Sequence, residues 1–238
     1  MMKRDPQQIV GVLPMAGSGS RLGLPFPKPL APIVVGETIR PLYSFALARI
    51  QRVTTTVIGV VSPAGAKDPY LAELPLTLVA KPEQGELPTS LSFAAKSVAP
   101  NALIAVALPD TVWYPEDLFD QALEELVAYP DVDGITLCFR GDRRQLDEVT
   151  IDGQGKVRNI TLHLTLEDEP GEIVGWGALL LRAGAVADLT DDQSLASQLA
   201  GLNLRAVVGE GPFLDFGTPE RYLQGLISVS ARRPEPNT

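Results

Sequence analysis

The chain has 238 residues, of which 45% are hydrophobic and 21% are charged, and it contains a single cysteine. These proportions are typical of a globular protein and exclude a disordered chain, a collagen-like repeat and a small domain held together by disulfide bonds. Lys and Arg number 20 against 29 Asp and Glu, so the net charge is −9, and no basic cluster indicates a nucleic acid or an anionic membrane as a partner.

Short runs of Val, Ile and Leu alternate along the chain with amphipathic segments. The runs show little period-two alternation, which is typical of strands buried on both faces. They predict strands at 9–13, 56–61, 76–79, 103–108, 134–139, 178–181 and 204–208. The amphipathic segments predict helices at 41–53, 89–98, 115–128 and 192–202, with a last helix that begins at Thr218-Pro219-Glu220. This order predicts an α/β fold with a mixed, mostly parallel sheet and helices on both of its faces.

The stretch 140–175 is polar and rich in turn residues. Within it, Asp152-Gly153-Gln154-Gly155 predicts the turn of a hairpin between strands at 149–151 and 156–160. We interpret the stretch as a small insertion in a single domain that spans 1–231, and we expect the tail 232–238, with its two prolines, to be disordered. Cys138 lies in an apolar run and is interpreted as a buried hydrophobic residue rather than a nucleophile.

The most informative segment follows the first predicted strand. It contains Gly17-Ser18-Gly19-Ser20-Arg21-Leu22 and then Pro27-Lys28. Small residues let backbone N–H groups approach phosphate oxygens, and Arg and Lys supply positive charge where a phosphoryl group is transferred. The spacing matches neither the Walker A loop nor the dinucleotide-binding glycine pattern.

Two aspartates farther along the chain are further candidate functional residues. Asp110 follows a predicted central strand, whose carboxyl end would point into the crevice where α/β sheets bind ligands. Asp215 lies in Phe213-Leu214-Asp215-Phe216-Gly217, directly before the last predicted helix. With one histidine and one cysteine in the chain, a zinc site is disfavoured, and paired carboxylates suit Mg²⁺ better.

The glycine loop with its Arg and Lys, the Asp at 110 and the segment 213–220 together resemble nucleotidyltransferases of the nucleotide-diphospho-sugar transferase fold. That group includes sugar-1-phosphate nucleotidyltransferases such as those similar to glucose-1-phosphate thymidylyltransferase. The resemblance implies a three-layer, Rossmann-like fold. It also implies a Mg²⁺-dependent reaction in which an NTP and a sugar-1-phosphate give a nucleotide-sugar and pyrophosphate. The polar stretch 1–8 and the shortness of the apolar runs predict a cytoplasmic protein.

The resemblance also implies roles for individual residues. Arg21, Lys28 and Asp110 would be catalytic, and Asp110 and Asp215 would hold the Mg²⁺. The acceptor would be bound by Lys28, His163 and Trp176. The nucleotide would be bound by Leu13, Ala16, Gly17, Ser18, Gly19, Ser20, Arg21, Gln84, Thr89 and Ser90.

The part of the sequence that would bind the acceptor departs from the family pattern. His163 or Glu169 stands where many sugar nucleotidyltransferases carry a second Lys. This leaves open a cytidylyltransferase that acts on a non-sugar phosphate such as a polyol or choline phosphate. A non-catalytic nucleotide-binding regulatory subunit is a further alternative. A glycosyltransferase usually shows Asp-x-Asp, whereas Thr111-Val112 follows Asp110 here. The base, the acceptor and any homo-oligomer are not specified by the sequence.

Overall fold

The structure is a computed structural model that describes residues 8–17, 22–81, 85–143, 146–162 and 171–230. The strands in chain order are β1 (Ile9–Pro14), β2 (Pro32–Val35), β3 (Thr38–Pro41), β4 (Val57–Val61), β5 (Thr77–Ala80), β6 (Leu103–Ala107), β7 (Thr111–Trp113), β8 (Gly134–Asp142), β9 (Glu148–Ile151), β10 (Val157–Thr161), β11 (Glu172–Arg182), β12 (Leu204–Gly209) and β13 (Phe213–Asp215). The helices are α1 (Tyr43–Ile50), α2 (Pro69–Ala72), α3 (Leu87–Lys96), α4 (Leu118–Ala128), α5 (Ala183–Val186), α6 (Leu195–Ala200) and α7 (Pro219–Ser230).

Nine strands form the central sheet. Strand β1 lies between β4 and β6 and runs parallel to both, and β5 extends the parallel part beyond β4. The long strand β11 runs antiparallel to β6 and to β8, and β12 pairs in parallel with β8 at the far edge. The carboxyl ends of β1, β4, β5 and β6 therefore meet along one edge, which is where open α/β sheets bind ligands.

Hydrophobic cores lie on both faces of this sheet. Neighbouring residues of β1 show the division, since Leu13 packs with α1 and α4 whereas Val12 packs with α3 and α6. Both side chains are fully buried. The sheet is thus covered by helices on both faces, and the prediction of a mixed, mostly parallel α/β fold is confirmed.

All seven predicted strands of the sheet are present, and so is the predicted hairpin, which is formed by β9 and β10. The predicted helices exist with shifted ends, and the first, third and fourth of them are shorter than their amphipathic segments. The tail 232–238 lies outside the described residues. Cys138 is fully buried, as expected, and burial raises the pKa of its thiol.

Two small antiparallel ribbons were not predicted. Strands β2 and β3 form one, and β7 and β13 form the other, in which Asp215 lies opposite Thr111. A third hydrophobic cluster, which includes Phe216 and Val229, joins these ribbons to α7. Such strands are three or four residues long and show no pattern of their own, so the sequence contains little signal for them.

A buried arginine in α1 forms hydrogen bonds with the end of strand β7. Arg49 of α1 is 2% exposed and donates hydrogen bonds from Nε and Nη2 to the carbonyl oxygen of Trp113, at 3.0 and 2.8 Å. Its Nη2 also donates to Glu116 at 3.1 Å. The indole of Trp113 in turn packs against the rings of Phe119 and Phe139. The ribbon that carries Asp215 is therefore fixed to the core through its partner strand.

Gly177 lies in β11, where the ladder with β8 shifts register. A Cβ atom there would lie 2.2 Å from Phe213 and 2.8 Å from Phe139. We expect Gly177→Ala to lower the free energy of unfolding by about 1–3 kcal/mol, because the methyl group overpacks the contact that supports β13. Chemical denaturation would measure this, with Gly153→Ala as the control, since a Cβ at Gly153 meets nothing within 4 Å. Equal stability of the two variants would contradict the expectation.

The turn of the β9–β10 hairpin depends on Asp152. Its carboxylate accepts hydrogen bonds from the N–H groups of Lys156 and Gln154, both at 2.9 Å, and from Arg158, and these bonds lower the pKa of Asp152.

A lowered pKa in the folded state means that Asp152 stabilises the protein above the ordinary aspartate pKa, and that this stabilisation is lost as the pH falls. We expect Asp152→Ala to have a lower Tm than the wild type at pH 7, with the gap closing below about pH 4. Thermal melts across this range would test it, with Asp188→Ala, at a 99% exposed carboxylate, as the control. A gap that stays constant with pH would show that the charge plays no part.

Candidate functional site

The loop after β1 leaves the sheet at the edge where the carboxyl ends of the parallel strands meet. Leu13 is fully buried with its side chain in the core, so only its backbone could face a ligand. Ala16 is half-buried and Gly17 is exposed, with open space where a Cβ would stand. Four residues of this loop that were predicted to bind the nucleotide lie outside the described residues: Ser18, Gly19, Ser20 and Arg21.

The structure brings Lys28 to the first predicted metal carboxylate. Lys28 begins a short 3-10 helix, Lys28–Leu30, directly after Pro27. Its ammonium group forms an ion pair with the carboxylate of Asp110. Asp110 lies between β6 and β7, so this contact joins the loop after β1 to the carboxyl end of the neighbouring strand.

The β7–β13 ribbon brings the two aspartates together. Because Thr111 pairs with Asp215 across the ribbon, Asp110 lies next to the end of β13. The N–H of Phe216 donates to the carbonyl oxygen of Asp110 at 3.0 Å, which fixes the two chain segments side by side. Two carboxylates that are far apart in the sequence thus lie at one place on the sheet edge.

Burial raises the pKa of Asp215, and the negative charge of Asp110 raises it further. Arg221 and Lys28 act in the opposite direction. Arg221, in the first turns of α7, forms an ion pair with the Asp215 carboxylate. Sequence reasoning missed Arg221. The available signal was its position on the helix that follows Asp215, where a side chain can reach back to the strand end.

The segment predicted to contact the base is held by hydrogen bonds within the protein. Thr89 Oγ1 and Ser90 Oγ both lie 3.2 Å from Nζ of Lys81, and the Ser90 hydroxyl donates to the carbonyl oxygen of Glu86. Gln84 lies outside the described residues. The assignment of Thr89 and Ser90 to the nucleotide stays a prediction.

The three residues predicted for the acceptor come from separate segments of the chain. Trp176, in β11, is half-buried, and its indole N–H donates to the carboxylate of Asp147 at 3.1 Å. Its ring packs at the edge of the core on the α3 side of the sheet. His163 lies outside the described residues. Lys28 is thus the predicted acceptor residue that the structure places beside the carboxylates.

Solved structures with the same architecture are known. HddC from Yersinia pseudotuberculosis complexed with GMP-PN matches with a TM-score of 0.72 and 18% identity, over 94% of this chain and 100% of that one. UTP-bound UGPase from Acinetobacter baumannii matches with a TM-score of 0.73 and 17% identity, over 96% of this chain and 95% of that one. These likenesses show the fold, which is that of the nucleotide-diphospho-sugar transferases.

The family match gives the class of protein, which is that of nucleotidyltransferase domains. The model of the MobA-like NTP transferase domain matches residues 11–206, and the chain belongs to this family. A curated relative, human (Homo sapiens) D-ribitol-5-phosphate cytidylyltransferase, is 44% identical over 50 residues, which are 21% of this chain. The matched stretch spans 10% of that relative's own length.

No helix within the described part of the chain is both long enough and apolar enough to cross a bilayer.

Proposed function

We propose that the protein transfers a nucleotidyl group from an NTP to the phosphate of a small acceptor, with release of pyrophosphate. The observation that carries this proposal is the convergence of Lys28, Asp110 and Asp215 at the carboxyl ends of the parallel strands, beside the glycine loop. Cationic and carboxylate groups at this edge are the parts that phosphoryl transfer needs.

In the proposed reaction, an oxygen of the acceptor phosphate attacks the α-phosphorus of the NTP, and the bond to the β-phosphate oxygen breaks as pyrophosphate leaves. Lys28 would leave Asp110 to contact the α-phosphate or the acceptor phosphate, where negative charge develops in the transition state. Backbone N–H groups from Ala16 to Ser20 would bind the triphosphate. Arg21 would neutralise the leaving pyrophosphate.

The two aspartates suit a magnesium ion. They supply oxygen ligands, and the pKa of Asp215 is raised by burial and by the charge of Asp110, so a divalent cation that they held would relieve the repulsion. No group of three or more His, Cys, Asp or Glu that could bind a metal occurs in the described ranges. Two carboxylates with the remaining positions left to phosphate and water are the usual protein contribution to Mg²⁺ binding. When bound, Mg²⁺ would neutralise charge on the phosphate oxygens.

For the substrates, we propose an NTP whose base is contacted by Gln84, Thr89 and Ser90, and a sugar-1-phosphate acceptor bound by Lys28, His163 and Trp176. The product would then be a nucleotide-sugar, made in the cytoplasm. Family membership and the nucleotides named for the two solved structures support the NTP, since one contains GMP-PN and the other UTP.

A cytidylyltransferase that acts on a polyol phosphate is the second candidate. It is favoured by the similarity of 50 residues to a D-ribitol-5-phosphate cytidylyltransferase, and by the absence of a Lys at positions 163 and 169. The two candidates differ in the base and the acceptor and share the same chemistry.

Pyrophosphate release in the presence of Mg²⁺ would test the proposal and separate the candidates. The protein would be assayed with each of five nucleoside triphosphates against a panel of sugar-1-phosphates and polyol phosphates. Release that requires one NTP and one acceptor would support transfer and name both substrates. NTP binding by calorimetry without release against any acceptor would favour a regulatory nucleotide-binding subunit instead.

A further inference from the structure

A buried lysine at the end of β5 forms hydrogen bonds with the start of α3. Lys81 directly follows β5 and is only 3% exposed. Its ammonium group donates to the carbonyl oxygens of Gly85 and Glu86, at 2.7 and 3.4 Å, and lies 3.2 Å from the hydroxyl oxygens of Thr89 and Ser90. A buried ammonium group is costly unless acceptors surround it, so these four oxygens account for its place inside the protein.

A distant carboxylate caps the same helix. Asp191, in the segment between α5 and α6, accepts hydrogen bonds from the N–H of Glu86 at 2.8 Å and from the N–H of Thr89 at 3.2 Å. It also accepts from the Thr89 hydroxyl at 2.9 Å. Its segment is fixed in turn, because the side-chain amide of Gln198 bonds both the N–H and the carbonyl oxygen of Thr190.

The space between these groups admits no side chain at position 85. A Cβ atom on Gly85 would lie 2.4 Å from Thr89 Oγ1, 2.5 Å from the Asp191 carboxylate and 3.0 Å from Lys81 Nζ. The first turn of α3 is therefore tied to β5 through Lys81 and to the α5–α6 segment through Asp191.

The charges at this helix end bear on where a triphosphate can bind. The N-terminus of a helix attracts anions through its unpaired N–H groups and its dipole. Here Asp191 already accepts from two of those N–H groups and adds a negative charge. A phosphate group at this position would therefore meet fewer free donors, and the charge of Asp191 offsets the attraction of the nearby Lys81 ammonium group.

We propose that Lys81 and Asp191 are positioning residues. They hold the first turn of α3 in the position from which Thr89 and Ser90 would contact the base of the NTP. By occupying the anion-attracting end of α3, Asp191 directs the triphosphate to the loop after β1. Helix α3 packs against β1 and begins at the edge where β1 ends, so the two places can serve one nucleotide. This inference rests on the function proposed above, and it adds two residues that do not touch the reacting atoms.

The test compares Asp191→Ala and Lys81→Met with matched controls that remove the same charge nearby. The controls are Asp188→Asn, at a 99% exposed carboxylate, and Lys96→Met, at a 59% exposed lysine on the same helix. We expect the KM for the preferred NTP to rise about tenfold in both test variants while kcat changes less than about threefold, and we expect neither control to change KM. Discrimination between the preferred NTP and the other four should fall as well.

Amide hydrogen exchange gives a readout that does not depend on activity. The N–H groups of Glu86 and Thr89 should exchange faster in Asp191→Ala than in wild type or Asp188→Asn. If Asp191→Ala does not fold, Asp191→Asn keeps the shape of the side chain, removes its charge and should show the same effects in smaller size.

An active wild type whose KM and discrimination among NTPs are unchanged in both test variants would overturn the inference and leave the proposed function standing. A general loss of stability, with kcat lowered and the KM of all five NTPs changed alike, would also overturn it, because that is the behaviour of residues with a purely structural role. A wild type that neither binds an NTP nor releases pyrophosphate would overturn the proposed function itself, and the inference with it.

Discussion

Asp110→Asn is expected to lower the rate of pyrophosphate release by on the order of 10³-fold or more. The substitution removes a negative charge without changing the shape of the side chain. In the structure this carboxylate lies beside Asp215, whose pKa its charge raises, and forms the ion pair with Lys28. The proposed site would then lose one of its two carboxylates, and with it the affinity for Mg²⁺ and the neutralisation of the reacting phosphates.

The measurement is an initial-rate assay of pyrophosphate, paired with calorimetric binding of Mg²⁺ or Mn²⁺. The fold should be preserved, because the backbone carbonyl of Asp110 that accepts from Phe216 is unchanged. Asp131→Asn, at an exposed aspartate between the end of α4 and the start of β8, is the matched control. A rate within about threefold of wild type would show that Asp110 does not act at the reacting centre.

Lys28→Ala is expected to lower kcat/KM by on the order of 10²-fold, which corresponds to about 3 kcal/mol of lost transition-state stabilisation. Lys28 follows the glycine loop and forms an ion pair with Asp110. Its flexible side chain can move from Asp110 to a phosphate oxygen without a change in the backbone. Lys28→Arg keeps the charge but changes its geometry, so its loss should be smaller.

Metal binding separates this role from that of Asp110. Lys28 forms an ion pair with Asp110 and competes with a cation for it, so Lys28→Ala should bind Mg²⁺ at least as well as wild type does. Lys67→Ala, at an exposed lysine in the loop after β4, is the control for loss of charge. A fall in kcat/KM of under about threefold would place Lys28 outside the reaction, and a parallel loss of metal affinity would assign it to the metal site instead.

The sheet could be predicted from local pattern because its strands are buried on both faces. Uninterrupted runs of Val, Ile and Leu such as Leu103–Ala107 have few other stable arrangements in water, so each run identifies a strand without knowledge of its neighbours. The turn of the β9–β10 hairpin was equally local, since Asp152 and Gly155 determine its shape within a few residues.

The β7–β13 ribbon could not be predicted in this way. Its two strands have three residues each, and they form because Trp113, Phe139 and Phe213 pack together in the core. That packing depends on residues from three separate parts of the chain. The convergence of Asp110 and Asp215 was therefore an expectation from resemblance, and the pairing across this ribbon is what brings them together.

The residues that surround the candidate site could not be predicted from local sequence either. Nothing local distinguishes Lys81 from a surface lysine, or Arg221 from any arginine in a helix. Lys81 is buried because the carbonyls and hydroxyls at the start of α3 fold back around it, and Arg221 is paired because β13 ends beside α7.

By itself the sequence determined the kinds of chemical groups this protein carries and the strands and helices on which they lie, because these follow from composition, hydrophobic runs and turn residues within short windows. Which groups meet was decided only by the tertiary structure. The ion pairs of Lys28 with Asp110 and of Arg221 with Asp215, and the capping of α3 by Asp191, all depend on contacts between distant segments. Burial of the shared core, rather than any local preference, is what brings those segments together.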